Sequence, residues 1–226
     1  MNLRSHAVAW LSETMDLLGL EKASVIGNSM GGYFGLVFAL AYPERVDRLV
    51  LVGEPAGSMA RPHLYHQILA RRGINSLLYA TKLKPSLQSL RAGHERLLVR
   101  HAERLPDEYW ACVLAAATLP GAQQSWLTLV EQGVTWSGRS KLTYALRPEL
   151  CRLRVPALFL WGEEDRLGPA FLGQEMAALM PQGKAIAVPD AGHLLWLDQP
   201  EQTCQAVCQF LEASNPRSNG ALAPTR

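Results

Sequence analysis

Four short runs of apolar residues punctuate the chain without alternating with polar ones: Ala23–Ile26, Leu49–Val52 within 48–53, Val155–Trp161 and Ala185–Val188. Runs of this kind, bounded by glycine or proline, predict strands buried on both faces. Between them the apolar residues return at helical spacing. Over 5–18, Val8, Leu11, Met15 and Leu18 lie on one face, Glu13 and Asp16 on others, and Gly19 stands where a helix would end. A second helix is expected from Tyr33 to Tyr42, stopped by Pro43, and others from Pro169 to Met180 and from Pro200 to Leu211. Strands separated by helices in this way predict an α/β fold, a parallel sheet with helices on both faces.

From about Pro55 to Pro148 the pattern is helical throughout, with segments at 64–72, 87–104 and 107–119 and no convincing strand. This reads as a helical cap, residues 55–148, inserted into a core formed by 1–54 and 149–213. The last stretch, 214–226, is rich in Ser, Asn, Pro and Ala and is expected to be disordered. Within the cap, Trp110, Trp126 and Trp136 belong either to its own packing, the preferred reading, or to a pocket wall. Its histidines, His63, His66, His94 and His101, lack the spacing of a metal triad and read as solvated or locally hydrogen-bonded.

Composition narrows the setting. With 22 basic and 20 acidic residues intermixed, the net charge of +2 offers no stripe that would track a nucleic-acid backbone, so no nucleic-acid partner is expected. Cys112, Cys151, Cys204 and Cys208 contain no CxxC pair and read as buried reduced thiols. No apolar run approaches the ~20 residues of a membrane span, and Ser12, Glu13 and Asp16 interrupt the N-terminal apolar stretch well before signal-peptide length. No membrane role and a cytoplasmic location are therefore expected.

The chemistry concentrates where the first strand ends, at Gly27-Asn28-Ser29-Met30-Gly31-Gly32. Glycines on either side of a serine between strand and helix allow a sharp turn that lifts the hydroxyl above the carboxyl edge of the sheet. The Met30 N–H, at the start of the next helix, is then placed to hold an anionic oxygen. The competing reading is a glycine-rich turn whose serine only caps a helix. Taken with the ALAYPERVDRLVLVG that follows, GNSMGG resembles the nucleophile elbow, helix and next strand of the α/β-hydrolase superfamily.

A serine nucleophile needs a base and a carboxylate that holds it. Only His193, in Asp190-Ala191-Gly192-His193, follows a strand end at the same edge of the sheet, and Gly192 is read as letting the loop turn inward. For the carboxylate, Glu163, Glu164 and Asp165 are all candidates by position. The resemblance implies Asp165, because Gly162, Asp165 and Pro169 match the family's G-x-x-D loop and following proline, leaving Glu163 and Glu164 as solvated charges. The order Ser29, Asp165, His193 is also that of α/β-hydrolases. A small-molecule substrate and no metal or organic cofactor are implied.

The resemblance covers about 5–213 and begins late: only 28 residues precede Ser29, where the family usually has several strands and a loop supplying a second oxyanion donor. The expectation is therefore an incomplete α/β-hydrolase core with an unpaired edge beside the nucleophile strand, open to pairing with a second copy. Such a chain is either part of a serine hydrolase or a non-catalytic relative serving as a binding module. GNSMGG resembles carbon–carbon bond hydrolases of aromatic degradation. However, Leu194 follows His193 where a Trp is expected, with Trp196 two places on, so esterase or thioesterase activity is equally implied. Serine excludes the branches with an aspartate nucleophile.

Overall fold

The computed structural model describes residues 2–213. The expected disordered tail, 214–226, lies outside the described residues. The order of elements is α1 (Leu3–Leu17), β1 (Ala23–Asn28), α2 (Met30–Ala41), β2 (Val46–Val52), α3 (Leu64–Leu69), α4 (Ile74–Thr81), α5 (Leu87–Leu97), α6 (Asp107–Thr118), α7 (Ala122–Gly133), β3 (Ala157–Gly162), α8 (Phe171–Leu179), β4 (Gly183–Val188), α9 (Leu195–Asp198) and α10 (Pro200–Glu212).

The four strands form one parallel sheet in the order β1-β2-β3-β4, with Ile26 beside Val50, Val50 beside Leu158 and Leu158 beside Lys184. Successive side chains point to opposite faces, which explains why the strands do not alternate in sequence. Leu49, Leu51, Ala157, Phe159 and Trp161 pack toward α1, α2 and α8, in a core shared with Leu36, Phe38 and Met176. Val50, Val52, Leu158 and Leu160 pack the other way, against Leu195 and Phe210 of α9 and α10. That second layer thins out at β1, where Ile26 is 54% exposed.

Several expectations need correction. Leu18 falls one residue past α1 and is exposed; Ala7 and Met15 are the buried residues of this helix. All four cysteines are exposed rather than buried, and Cys204 and Cys208 sit with sulfurs 3.9 Å apart on α10. The helix expected over 87–104 stops at Leu97. Its continuation is recruited elsewhere: the Leu98 carbonyl accepts the Leu194 N–H, and the Arg100 and His101 N–H groups donate to Asp198. Two further helices between β2 and β3, α4 and α7, lie in the region whose pattern is helical but outside the three segments bounded there. The segment joining β2 to β3 reaches the loop after β4 through Leu98 and Arg100, over the carboxyl edge of the sheet.

Candidate active site

The turn after β1 is tight. Ser29 adopts φ 50°, ψ −109°, a conformation rare for a residue with a side chain and one that persists only where its surroundings enforce it. The enforcement comes from both sides: the Ser29 N–H donates to the Val52 carbonyl, and the Ser29 carbonyl accepts from the Tyr33 and Ala56 N–H groups. At Gly27 a Cβ would lie 2.4 Å from Gly31 backbone atoms, so only glycine fits. Gly31, in contrast, faces open space, so the turn does not require a glycine there for clearance.

The loops after β2, β3 and β4 converge on this turn. His193 Nδ1 and Asp165 Oδ2 are 2.8 Å apart, both side chains buried. Asp165 Oδ2 also accepts the Glu54 N–H, and Oδ1 accepts the Leu167 N–H, so the carboxylate is held from three directions. These bonds orient the acid and fix His193 with its Nδ1 toward Asp165. Gly53 (φ 69°) makes room for the pair, since a Cβ there would sit 2.6 Å from the His193 carbonyl oxygen. Gly192 does not have a left-handed backbone; its missing side chain admits the Leu98 carbonyl, which a Cβ would approach to 2.9 Å. Glu163 and Glu164 are exposed, and Glu164 pairs with Arg100 at 2.7 Å.

Three residues of the site were not legible beforehand. Asn28 Nδ2 donates to the Val52 carbonyl and, at 3.4 Å, to the His193 carbonyl, tying the ends of β1 and β2 to the histidine loop. Glu54 is a buried carboxyl whose Oε1 accepts from Ser58 Oγ; burial pushes its pKa up to about 7, with the negative charge of Asp165 adding to the rise. Asp198 accepts the N–H groups of Gly192, Arg100 and His101, all within 2.9 Å.

Ser29 and His193 open into one cavity of about 490 Å³, between the sheet edge and helices α3 to α7. Ser29 Oγ makes no hydrogen bond to a described residue; catalytic hydrogen bonds often tighten only around a bound substrate. His66 and Trp126 both line this space and touch each other as an edge-to-face pair, 5.8 Å between centroids. Burial and the neighbouring His63 and His193 push the His66 pKa down to about 4, so His66 is uncharged at neutral pH. Of the three tryptophans, Trp126 lines the cavity, Trp110 is packed inside against His94 and Arg91, and Trp136 is 62% exposed. Among the described residues no cluster of three His, Cys, Asp or Glu is arranged to hold a metal, and no helix is long and apolar enough to cross a membrane.

The family model for the alpha/beta hydrolase fold matches residues 4–200, and the chain belongs to that family. It is 29% identical over 201 residues to a 2-hydroxy-6-oxononadienedioate/2-hydroxy-6-oxononatrienedioate hydrolase of Burkholderia vietnamiensis, covering 89% of this chain and 66% of the relative. It is 31% identical to a 2-hydroxy-6-oxo-6-phenylhexa-2,4-dienoate hydrolase of Burkholderia cepacia, over 79% of this chain and 59% of the relative. The chain thus spans about two thirds or less of the length of these relatives. Among solved structures, a meta-cleavage product hydrolase from Pseudomonas fluorescens shares the fold with TM-score 0.74 and 23% identity, covering 94% and 72% of the two chains. A probable hydrolytic enzyme from Pseudomonas aeruginosa matches with TM-score 0.71 and 28% identity, over 92% and 69%.

Proposed function

We propose that this chain carries the catalytic centre of a serine hydrolase acting on small carbonyl compounds: esters, thioesters or ketones with a cleavable carbon–carbon bond. Ser29 Oγ bonds to the substrate carbonyl carbon while its proton passes to His193 Nε2. The Nδ1–H of the resulting imidazolium donates to Asp165, and the Met30 N–H stabilises the oxyanion. Collapse expels the alcohol, thiol or stabilised carbanion, which takes the proton from His193. Water, deprotonated by the same histidine, then releases the acid and restores Ser29. The observation that carries this reading is the buried His193–Asp165 pair at 2.8 Å, opening onto the same cavity as the strained Ser29 turn. The family and the named activities of its relatives agree with it.

In the same reading, residues 55–148 act as a cap that supplies the pocket wall and hence the substrate preference. The four exposed, unbridged cysteines suit a reducing, cytoplasmic setting. The test is covalent labelling with a fluorophosphonate. The wild-type chain should be modified at Ser29, and Ser29→Ala should stay unlabelled. Modification at a different serine of the folded protein would refute the assignment.

A further inference from the structure

The cavity above Ser29 has walls of Leu83, Leu90, Leu97, Leu167, Tyr79 and Trp126, and among the described residues that line it none is a lysine or arginine. The cations of the surrounding segments point outward. Lys82 and Lys84 alternate with the lining residues Leu83 and Pro85 and are exposed. On α5 the lining face is Ser89, Leu90, Gly93, His94 and Leu97; Arg91 lies off that face, and Arg96, three residues after Gly93, borders it but is exposed. Arg91 is engaged at 2.6 Å by Asp107 and lies over the Trp110 ring, and Arg100 is engaged by Glu164. Arg96 bears on His63 but is exposed and outside the lining.

We propose that the cavity selects a neutral acyl group with an apolar body and rejects one whose far end is a carboxylate. This rests on the hydrolase reading above and goes further by naming the substrate class. The polar groups of the lining, Tyr65, Tyr79, Ser89 and Gln123, are neutral, and burying an anion there with no partner charge costs more than the apolar contacts of its methylene chain return. Burial pushes the pKa of His66 down to about 4 and lowers that of His94, so neither supplies that charge. His66 instead offers a neutral ring nitrogen suited to a carbonyl or hydroxyl group. By the chemistry proposed above, the nonadienedioate and nonatrienedioate named for one curated relative would leave an acyl group ending in a carboxylate, from which the inferred preference departs, whereas the 6-phenylhexadienoate named for the other would leave a neutral benzoyl group, which it admits.

The test uses a matched pair of ligands on the Ser29→Ala chain, which cannot turn them over: methyl hexanoate and monomethyl adipate, alike except that a methyl in one is a carboxylate in the other. Binding is read by tryptophan fluorescence at pH 7.5, with Trp126→Phe in the same background identifying the signal from the cavity. Methyl hexanoate is expected to bind tighter by about tenfold or more. Adding Leu90→Arg, which puts a cation on the wall, should reverse the order. Equal affinities, tighter binding of the adipate, or no saturable binding of methyl hexanoate would overturn the proposal; the first comparison decides it even where the arginine variant does not fold. Fluorophosphonate labelling of Ser29 reports on the hydrolase reading separately, so either can fail while the other stands.

Discussion

Glu54 stands two residues past the end of β2, with its backbone N–H on Asp165 and its carboxyl buried beside Ser58. Its pKa rises from an ordinary 4.5 to about 7, chiefly because burial disfavours the charged form. Folding therefore favours the protonated carboxyl. The stability this contributes is fully present below pH 4.5 and is lost as pH rises through 7. Glu54→Gln keeps an acceptor for Ser58 and cannot ionise. It is expected to raise stability over wild type above pH 7, by an upper bound on the order of 3 kcal/mol, and to leave it unchanged near pH 4.5. Chemical denaturation at pH 5 and pH 8 checks this; a Gln variant no more stable than wild type at pH 8 would count against a buried, strained Glu54. At the neighbouring Gly53, with φ 69° and the His193 carbonyl oxygen in the way, Gly53→Ala should cost about 2 kcal/mol or more and slow Ser29 labelling by displacing the histidine loop. A variant that labels and melts like wild type would refute that close approach.

Between elements, the histidine loop is fastened to the segment after α5, with the Asp198 side chain at the centre of the contacts. Asp198, at the end of α9, accepts N–H groups from Gly192 on one side and from Arg100 and His101 on the other, while Leu98 accepts from Leu194 and His101 pairs with Asp190 at 2.8 Å. Charge-assisted bonds to backbone are among the stronger polar contacts, and losing the charge leaves buried donors poorly satisfied. Asp198→Asn is expected to lower stability by about 2 kcal/mol and to reduce kcat for ester hydrolysis about tenfold or more, because it frees the loop that positions His193. A rise in KM at unchanged kcat would place Asp198 in substrate binding instead. This clamp shows where sequence reading ends. The strands and the Ser29 turn are local: β-branched runs and paired glycines constrain their own backbone, and Asp165 and His193 follow strand ends. Asp198, Glu54 and His66 carry no such local mark, since each matters through a partner far along the chain, Arg100, Asp165 and Trp126 respectively, or through burial that only packing creates. Within the segment of helical pattern, the bounds of α4 and α7 are not legible because their starts, after Gly73 and Gly121, lack a side-chain cap.

At the scale of the whole molecule, the order β1-β2-β3-β4 puts the strand that carries Ser29 at an edge, with β2 as its one partner among the described residues. The edge follows from four strands in the sequence, but its surface does not. On the α10 side an apolar groove of about 450 Å³ runs between Ile26, Val52, Trp196 and Val207, because α10 packs over β3 and β4 and stops short of β1. Unpaired backbone groups next to exposed apolar side chains template strand addition, and β1 carries no lysine or proline of the kind that blunts such edges. The chain is therefore expected to associate with itself through β1, and a rise in sedimentation coefficient with concentration would report it. Ile26→Lys should shift that equilibrium toward monomer without lowering the melting temperature, because Ile26 is more exposed than buried in the single chain. Should the wild-type chain sediment as a monomer across the range reached in purification, or should Ile26→Lys associate as readily, the edge is not the contact. If the wild type loses Ser29 labelling as it associates and Ile26→Lys, staying monomeric, keeps it, pairing at β1 also distorts the turn that β1 carries.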